Sequence, residues 1–217
     1  MRYQRNNLTD NQQSLLLNKV VGIVGLGGLG GFIFEYILRI GVKEIYIMDN
    51  DNFDYSNLNR QILSNNNNIN DSKIKQAINH ALKVNPDIKI NTLSQYLNND
   101  NHYFLKECDL IFDATDNIDS RLTLEKLSNN YLIPIVHGAV NKNYIQVALI
   151  KPMSNLLTKL YKDKYIQDSP KTMIYTCSIC ASLQVSIAIK YLLDPDYKLE
   201  TILYVDLDDY SIQHLNI

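Results

Sequence analysis

The stretch KVVGIVGLGGLGGFIFEYILRI, residues 19–40, decides the fold class of this chain. Its apolar beginning, residues 19–24, is typical of a short strand that is buried on both faces. A cluster of glycines follows, and the pattern then predicts an apolar helix over residues 30–40, which Gly41 ends. Strand, glycine turn and helix in this order predict a nucleotide site, because glycines let the backbone approach phosphate and the helix N-terminus offers free N–H groups.

The second predicted strand completes this fingerprint. It covers residues 44–48 (EIYIM) and is closed by Asp49. An acidic side chain at the tip of this strand is placed to accept hydrogen bonds from a ribose. The candidate nucleotide-binding residues of this unit are Asp49 and four glycines of the turn, Gly25, Gly27, Gly28 and Gly30.

Strands alternate with helices along the rest of the chain. The patterns predict helices over residues 8–18, 71–84, 101–106, 118–131 and 178–193, and strands over 88–93, 109–113, 133–137, 146–150, 202–205 and 211–215. Residues 151–173 are the least patterned, and we expect a mobile loop there. This spacing indicates an α/β fold, a Rossmann-like doubly wound, largely parallel sheet with a mixed C-terminal extension. With 217 residues and no linker or repeat, the chain is expected to form one domain over residues 1–217.

Composition and charge argue against several classes of protein. The chain is 46% hydrophobic and 20% charged, enough for a proper core, and its net charge of −2 argues against nucleic acid as a partner held by a basic surface. No stretch approaches ~18 consecutive apolar residues and the N-terminus is polar, so we expect no membrane partner and a cytoplasmic protein. Three cysteines are too few, and odd in number, for a disulfide framework.

Two features after the second strand favour a triphosphate over a nicotinamide dinucleotide. The segment 51–61 (DNFDYSNLNRQ) begins at Asp51, and its Asn57, Arg60 and Gln61 place polar groups where phosphates are expected. Lys73 stands at the start of a predicted helix, where a cation opposes the helix dipole. A phosphate partner would explain this lysine; the alternative is a solvated helix residue.

The third feature is the segment DATDN, residues 113–117, at the carboxyl end of a predicted strand. Ligands of such sheets bind at this end of the strands. A carboxylate beside a triphosphate is a natural Mg²⁺ ligand, and we assign this role to Asp116. Asp113 is either a second functional group or a capping or buried acid.

In order and spacing, these motifs resemble the ThiF/MoeB/HesA family, the adenylyltransferases related to ubiquitin-activating enzymes. The matching pieces run over nearly the whole chain: RYQR at 2–5, GLGGLG at 25–30, DND at 49–51, SNLNRQ at 56–61, Lys73, NP at 85–86, TDN at 115–117 with Arg121, HGA at 137–139, and SLQ at 182–184 with IK at 189–190. No single piece is decisive, but together they are highly specific.

The resemblance implies a role for each matched residue. Gly27 and Gly28 would line the phosphates of ATP, and Asp49 would hold the ribose. Contacts to the triphosphate would come from Asn57, Arg60 and Lys73. The magnesium ligand would be Asp116, with Asn117 next to it in the nucleotide site.

The resemblance also implies a partner and a reaction. Arg5 resembles an arginine that reaches across a homodimer interface into the partner's ATP site. The reaction joins AMP to the C-terminal carboxylate of a small ubiquitin-like sulfur-carrier protein ending in Gly-Gly, in thiamine or molybdopterin synthesis, and pyrophosphate leaves. The catalytic residues implied are Arg5, Arg60, Lys73 and Asp116, and the cofactors are ATP and Mg²⁺.

The chain departs from the family at its cysteines. Many relatives bind a structural zinc through two Cys-x-x-Cys pairs, whereas Cys177 and Cys180 form the only pair here, so we expect no zinc. Both are interpreted as buried core residues, with a thioester or acyl-disulfide role for Cys177 as the alternative. His137 is predicted to be a strand-end histidine bonded to backbone, or alternatively a substrate contact.

Other functions stay open at this stage. The same adenylation chemistry could act on a small-molecule, peptide or tRNA-base acceptor, although the slightly negative charge weighs against tRNA. A non-catalytic nucleotide-binding partner and an NAD oxidoreductase are further alternatives. The sequence does not name the acceptor.

Overall fold

The structure is a computed structural model and describes residues 2–161, 171–199 and 201–216. The strands in these ranges are β1 (Val20–Val24), β2 (Glu44–Met48), β3 (Lys89–Leu93), β4 (Leu110–Asp113), β5 (Ile135–Asn141), β6 (Tyr144–Ile150), β7 (Thr201–Asp206) and β8 (Ser211–Asn216). The α-helices are α1 (Asp10–Leu16), α2 (Gly28–Ile40), α3 (Lys73–Val84), α4 (Ile118–Tyr131), α5 (Leu156–Tyr161) and α6 (Ile174–Leu193).

These strands join in one sheet of order β3-β2-β1-β4-β5-β6-β7-β8. The first five in chain order pair in parallel, and β5 to β8 pair antiparallel. The chain runs outward from β1 to β2 and β3, then returns to place β4 on the other side of β1. This change of direction leaves a crevice at the carboxyl ends of β1 and β4, where ligands of such folds bind. The predicted fold class is confirmed.

Helices cover both faces of the sheet. On one face α2 and α6 pack against each other, with α1 and α3 beside them, around an apolar cluster that includes Phe34 and Ile37. On the other face α4 and α5 enclose a second cluster around Leu105, Leu124 and Leu157. Burial of both faces explains why the central strand β1 is apolar along its whole length.

Two glycines where β1 leads into α2 are required by the backbone. Gly25 has φ +93°, a left-handed conformation that side chains rarely adopt. A Cβ atom on Gly30 would overlap the carbonyl oxygen of Gly25. The turn therefore closes tightly enough to aim the N-terminus of α2 at the crevice.

The structure corrects several predicted boundaries. β5 and β6 are longer than predicted and form a hairpin, α6 begins at Ile174 instead of residue 178, and the predicted helix at 101–106 is a 3₁₀ helix over His102–Leu105. The mobile loop predicted over 151–173 is wrong for its first part, which contains α5. Residues 162–170 lie outside the described residues.

Helix α6 is long and apolar enough, by length and composition alone, to cross a membrane. Half of its apolar stretch is buried inside the fold, where it packs against α2, β5 and β6. These contacts account for its apolar composition as that of a core helix.

Candidate active site

An open cavity of about 350 Å³ lies at the carboxyl ends of the parallel strands. The glycine turn, the chain that follows β2 and the turn between β4 and α4 form its walls. The predicted site residues that line it are Gly25, Gly27, Gly28, Asp49, Asp51, Asn57, Arg60, Gln61, Lys73, Asp116 and Asn117. Gly30, which packs against Gly25, and Arg5 are not in the lining.

The glycine turn presents the open N-terminus of α2 to this cavity. Gly27 is the N-cap residue and gives the helix no side-chain cap. A Cβ atom on Gly27 would meet only Nε2 of Gln61, at 3.9 Å, so the face of this residue is open. On Gly28 it would lie 2.9 Å from Sγ of Cys177. A phosphate could therefore approach the backbone N–H groups of the first helical turn.

Asp49 fastens the end of β2 to the glycine turn. Its Oδ2 accepts a hydrogen bond from the N–H of Leu26 at 2.6 Å, and its Oδ1 accepts one from the N–H of Asp51 at 2.8 Å. Burial raises the pKa of this carboxyl group above its ordinary value. The contact of Asp49 with a ribose stays a prediction.

Lys73 is the first residue of α3 and is buried in the cavity wall, so the alternative of a solvated helix residue is wrong. Its Nζ lies 2.8 Å from Oδ2 of Asp51, and the hydroxyl of Tyr96 donates to Oδ1 of Asp51, also at 2.8 Å. Burial raises the pKa of Asp51, but these two hydrogen bonds outweigh burial and the pKa lies below its ordinary value. An ammonium group is thus held at the cavity by an ionised carboxylate.

Arg60 and Gln61 present polar groups to the cavity after the short 3₁₀ helix Tyr55–Asn57. Nη1 of Arg60 donates to the carbonyl of Ser56 at 2.8 Å and to Oδ1 of Asn59 at 2.9 Å. Gln61 is buried, and its Oε1 has no hydrogen-bond partner among the described residues. A ligand group that donates a hydrogen bond would satisfy this buried acceptor.

Asp116 and Asn117 differ in what they offer. Asp116 is exposed at the cavity and makes no hydrogen bond or ion pair with any residue that the structure describes. The side chain of Asn117 caps α4 by accepting the N–H of Ser120 at 2.8 Å. Its oxygen is therefore engaged by the helix, and Asp116 carries the free carboxylate.

The sequence matches the ThiF family over residues 2–217. This chain belongs to the ThiF family.

Named relatives of this ThiF-family chain are adenylyltransferases and activating enzymes. It is 31% identical to the SAMP-activating enzyme E1 of Haloferax volcanii over 156 residues, which cover 70% of this chain and 58% of that protein. It is also 31% identical to the molybdopterin-synthase adenylyltransferase of Haemophilus influenzae over 169 residues, 75% of this chain and 68% of that one. The match thus spans less than two thirds of the length of the Haloferax volcanii protein.

A solved structure shows the same fold. E. coli MccB, solved with ATP, superposes with a TM-score of 0.79 at 21% identity, and the match covers 94% of this chain and 65% of that chain. At this identity the likeness confirms the fold.

Asp113 and His137 of this ThiF-family chain form a buried pair behind the cavity wall. Nδ1 of His137 lies 2.6 Å from Oδ2 of Asp113, and both side chains are fully buried. Asp113 is thus a buried acid, one of the two possibilities left by its sequence. The backbone partner predicted for His137 is wrong, because both of its ring nitrogens bond to side chains, the second to the hydroxyl of Tyr161 at 3.0 Å.

Only one member of this pair, Asp113, is charged at neutral pH. Burial raises the pKa of Asp113, but the hydrogen bond and charge of His137 and the charge of Arg121 outweigh it and hold the pKa below its ordinary value. Burial lowers the pKa of His137 below its ordinary 6.5 although Asp113 opposes the shift. At neutral pH, Asp113 is ionised and His137 neutral.

This arrangement predicts that the protein loses stability in mild acid through His137. Below pH 6.5 the histidine takes up a proton in the unfolded chain but not in the folded one, so the free energy of unfolding falls with pH. The slope for one proton is up to about 1.4 kcal/mol per pH unit. Urea unfolding between pH 7.5 and 5.5 should give a steeper fall for the unmodified protein than for His137→Gln, and parallel curves would contradict this.

The three cysteines are buried, as predicted for Cys177 and Cys180. Burial raises the pKa of both thiols above the ordinary value, which disfavours the nucleophilic thiolate. Cys177 nevertheless lines the cavity. Among the described residues, no group of three or more His, Cys, Asp or Glu side chains could hold a metal ion.

The N-terminal arm lies at the opposite end of α2 from the cavity. The ring of Tyr3 packs on Gly41, just after α2 ends, and Arg2 donates to the carbonyl of Val84 at the end of α3. Arg5 is exposed in the same arm. Since α2 has 13 residues and so is about 20 Å long, Arg5 sits remote from the cavity of its own chain. Its action in a partner's site stays a prediction.

Proposed function

We propose that this protein is an ATP-dependent adenylyltransferase. It activates the C-terminal carboxylate of a small ubiquitin-like sulfur-carrier protein ending in Gly-Gly as an acyl adenylate and releases pyrophosphate. The observation that carries the proposal is one cavity in which a bare helix N-terminus, the ammonium group of Lys73, the guanidinium group of Arg60 and the free carboxylate of Asp116 face the same space. The names of the relatives support it.

The chemistry needs charge neutralisation more than proton transfer. A carboxylate oxygen forms a bond to the α-phosphorus of ATP while the bond from that phosphorus to pyrophosphate breaks. Two anions must meet, so Lys73, Arg60 and the N–H groups at Gly27 and Gly28 would hold the phosphates and align them. No general base is required, because the attacking carboxylate is already ionised.

The donors present suit Mg²⁺ only together with a nucleotide. Mg²⁺ is commonly held by one or two carboxylates plus phosphate oxygens, and Asp116 offers one free carboxylate. When bound there, Mg²⁺ would neutralise charge on the phosphates. The open face of Gly27 and the uncapped N-terminus of α2 fit the phosphates of the nucleotide. The orphaned Oε1 of Gln61 is an acceptor, so its partner would be a hydroxyl or amino group of the nucleotide.

The nucleotide class can be tested directly by thermal stabilisation. A ligand that binds only the folded state raises the unfolding temperature. We expect ATP with Mg²⁺ to raise it by several degrees and NAD, at equal concentration, to leave it unchanged. Stabilisation by NAD alone would favour an oxidoreductase and overturn the proposal.

The proposed partners are the carrier protein and a second copy of this chain. The position of its N-terminal arm supports a homodimer in which Arg5 of one protomer contacts the triphosphate held by the other. A long guanidinium side chain loses less entropy on binding when an interface already orders its arm.

We predict that activity reappears when two inactive variants are mixed. Arg5→Ala and Asp116→Ala chains are each expected to be inactive alone. If Arg5 acts in the partner's site, a hybrid dimer has one site with both defects and one with neither, so mixing should restore pyrophosphate exchange. Absence of recovery despite demonstrated subunit exchange would contradict action across the interface.

A further inference from the structure

A polar network lies directly behind the turn that carries Asp116, and three of its four side chains are buried. Asp113, His137, Tyr161 and Arg121 form it, and they come from β4, β5, α5 and α4. The proposed adenylation chemistry uses none of these side chains. Arg121 lines the cavity, whereas Asp113, His137 and Tyr161 do not.

Asp113 binds the turn with one oxygen and the network with the other. Its Oδ1 accepts both the N–H of Thr115, at 3.0 Å, and the hydroxyl of Thr115, at 2.7 Å. Its Oδ2 accepts from Nδ1 of His137. The residue immediately before Asp116 is therefore held by two hydrogen bonds to one buried carboxylate.

His137 connects Asp113 to α5 through a hydrogen bond with Tyr161. Because an ionised Asp113 can only accept, the proton of the neutral imidazole is on Nδ1, and Nε2 accepts the hydroxyl proton of Tyr161. The amide of Gln146 donates to the same hydroxyl oxygen at 3.4 Å. Asp113 thereby fixes the tautomer of His137, and the hydroxyl of Tyr161 helps to hold its ring in place.

Arg121 closes the network onto the same turn. Its guanidinium carbon lies 4.7 Å from the centre of the Tyr161 ring, and its Nη2 donates to the carbonyl of Thr115 at 3.0 Å. Nε of Arg121 is buried 3.9 Å from Oδ2 of Asp113 and has no hydrogen-bond partner among the described residues. Thr115 is thus held through its N–H, its hydroxyl and its carbonyl.

We propose that Asp113, His137, Tyr161 and Arg121 are positioning residues that fix the 114–117 turn and so set the place of the Asp116 carboxylate against Mg²⁺–ATP. The inference rests on the proposed function. Tyr161 belongs to α5, whose first N–H groups bond to the carboxylate of Glu125 on α4. The packing of α5 against α4 therefore affects the position of the Asp116 carboxylate.

Tyr161→Phe tests this proposal, because it keeps the ring beneath Arg121 and removes only the hydroxyl. We expect a folded protein that needs roughly tenfold more Mg²⁺ for half-maximal thermal stabilisation by ATP, the scale of losing a partner of a metal ligand. Stabilisation by ATP in excess chelator should not change. Tyr131→Phe is the matched control, since this tyrosine also lies with its ring against a histidine, His102, but that histidine does not bond to Asp113.

A second measurement on the unmodified protein decides the matter even if the variant fails to fold. The chain has four histidines, and none of them lines the cavity. In ¹⁵N spectra of the imidazole rings, Mg²⁺–ATP should shift the His137 signals and leave those of His80, His102 and His214 in place.

The outcomes separate the two proposals. If ATP with Mg²⁺ does not stabilise the unmodified protein at all, the proposed function fails. If it does, but Tyr161→Phe keeps the normal Mg²⁺ requirement or the His137 signals do not move, the positioning network is overturned.

Discussion

Asp116→Asn is expected to reduce ATP–pyrophosphate exchange by a factor of 100 or more, roughly the scale of losing one preorganised charged group at a reacting phosphate. The substitution preserves size and removes only the charge. Asp116 is exposed and makes no hydrogen bond or ion pair with the described residues. The unfolding temperature of the variant protein should therefore equal that of the unmodified protein.

The matched control for this change is Asp119→Asn. Asp119 lies in the first turn of α4, three residues after Asp116, is also exposed, and is not in the cavity lining. We expect this variant to exchange pyrophosphate normally. A normal rate in a well-folded Asp116→Asn protein would remove Asp116 from the site.

Alanine should impair different properties at Gly27, the N-cap of α2, and at Gly30, in its first turn. Gly30→Ala places a methyl group on the carbonyl oxygen of Gly25, so the backbone must move. We expect a loss of about 3 kcal/mol in the free energy of unfolding, a fall of about 10 °C in the unfolding temperature. Gly27→Ala should keep its stability, because its methyl group enters open space, and should weaken ATP binding at least tenfold.

Thermal unfolding with and without ATP measures both effects in one experiment. We expect Gly30→Ala to have the lower unfolding temperature and Gly27→Ala to lose the stabilisation by ATP. An unstable Gly27→Ala protein, or one that responds normally to ATP, would contradict the assignment of this turn to the phosphates.

Local sequence patterns were sufficient to predict most of the helices and strands and most of the residues that line the cavity. Residues 44–48 and 118–131 are predicted with the bounds of β2 and α4, because their flanking turn and capping residues are strong local signals. The glycines and Asp116 were found because ligands of such sheets bind at the carboxyl ends of the parallel strands. Lys73 was found because a cation at the start of a helix opposes the helix dipole.

What the sequence missed depends on contacts between distant residues. Helix α5 begins where its N–H groups meet Glu125, 32 residues earlier, and nothing local indicates this partner. Tyr96 and Tyr161 each meet a site carboxylate or histidine through their hydroxyl groups. Only the packed fold shows which of the 15 tyrosines do so.

The measurement that tests the central claim most directly is the exchange of labelled pyrophosphate into ATP with a small ubiquitin-like carrier as acceptor. We predict Mg²⁺-dependent exchange with a carrier ending in a free Gly-Gly carboxylate, and none when that carboxylate is blocked as an amide. Exchange only with a peptide, a small molecule or tRNA would support the adenylation reaction but contradict the carrier protein as its acceptor. No exchange with any acceptor, in protein that binds Mg²⁺–ATP, would contradict the account and indicate a non-catalytic nucleotide-binding protein.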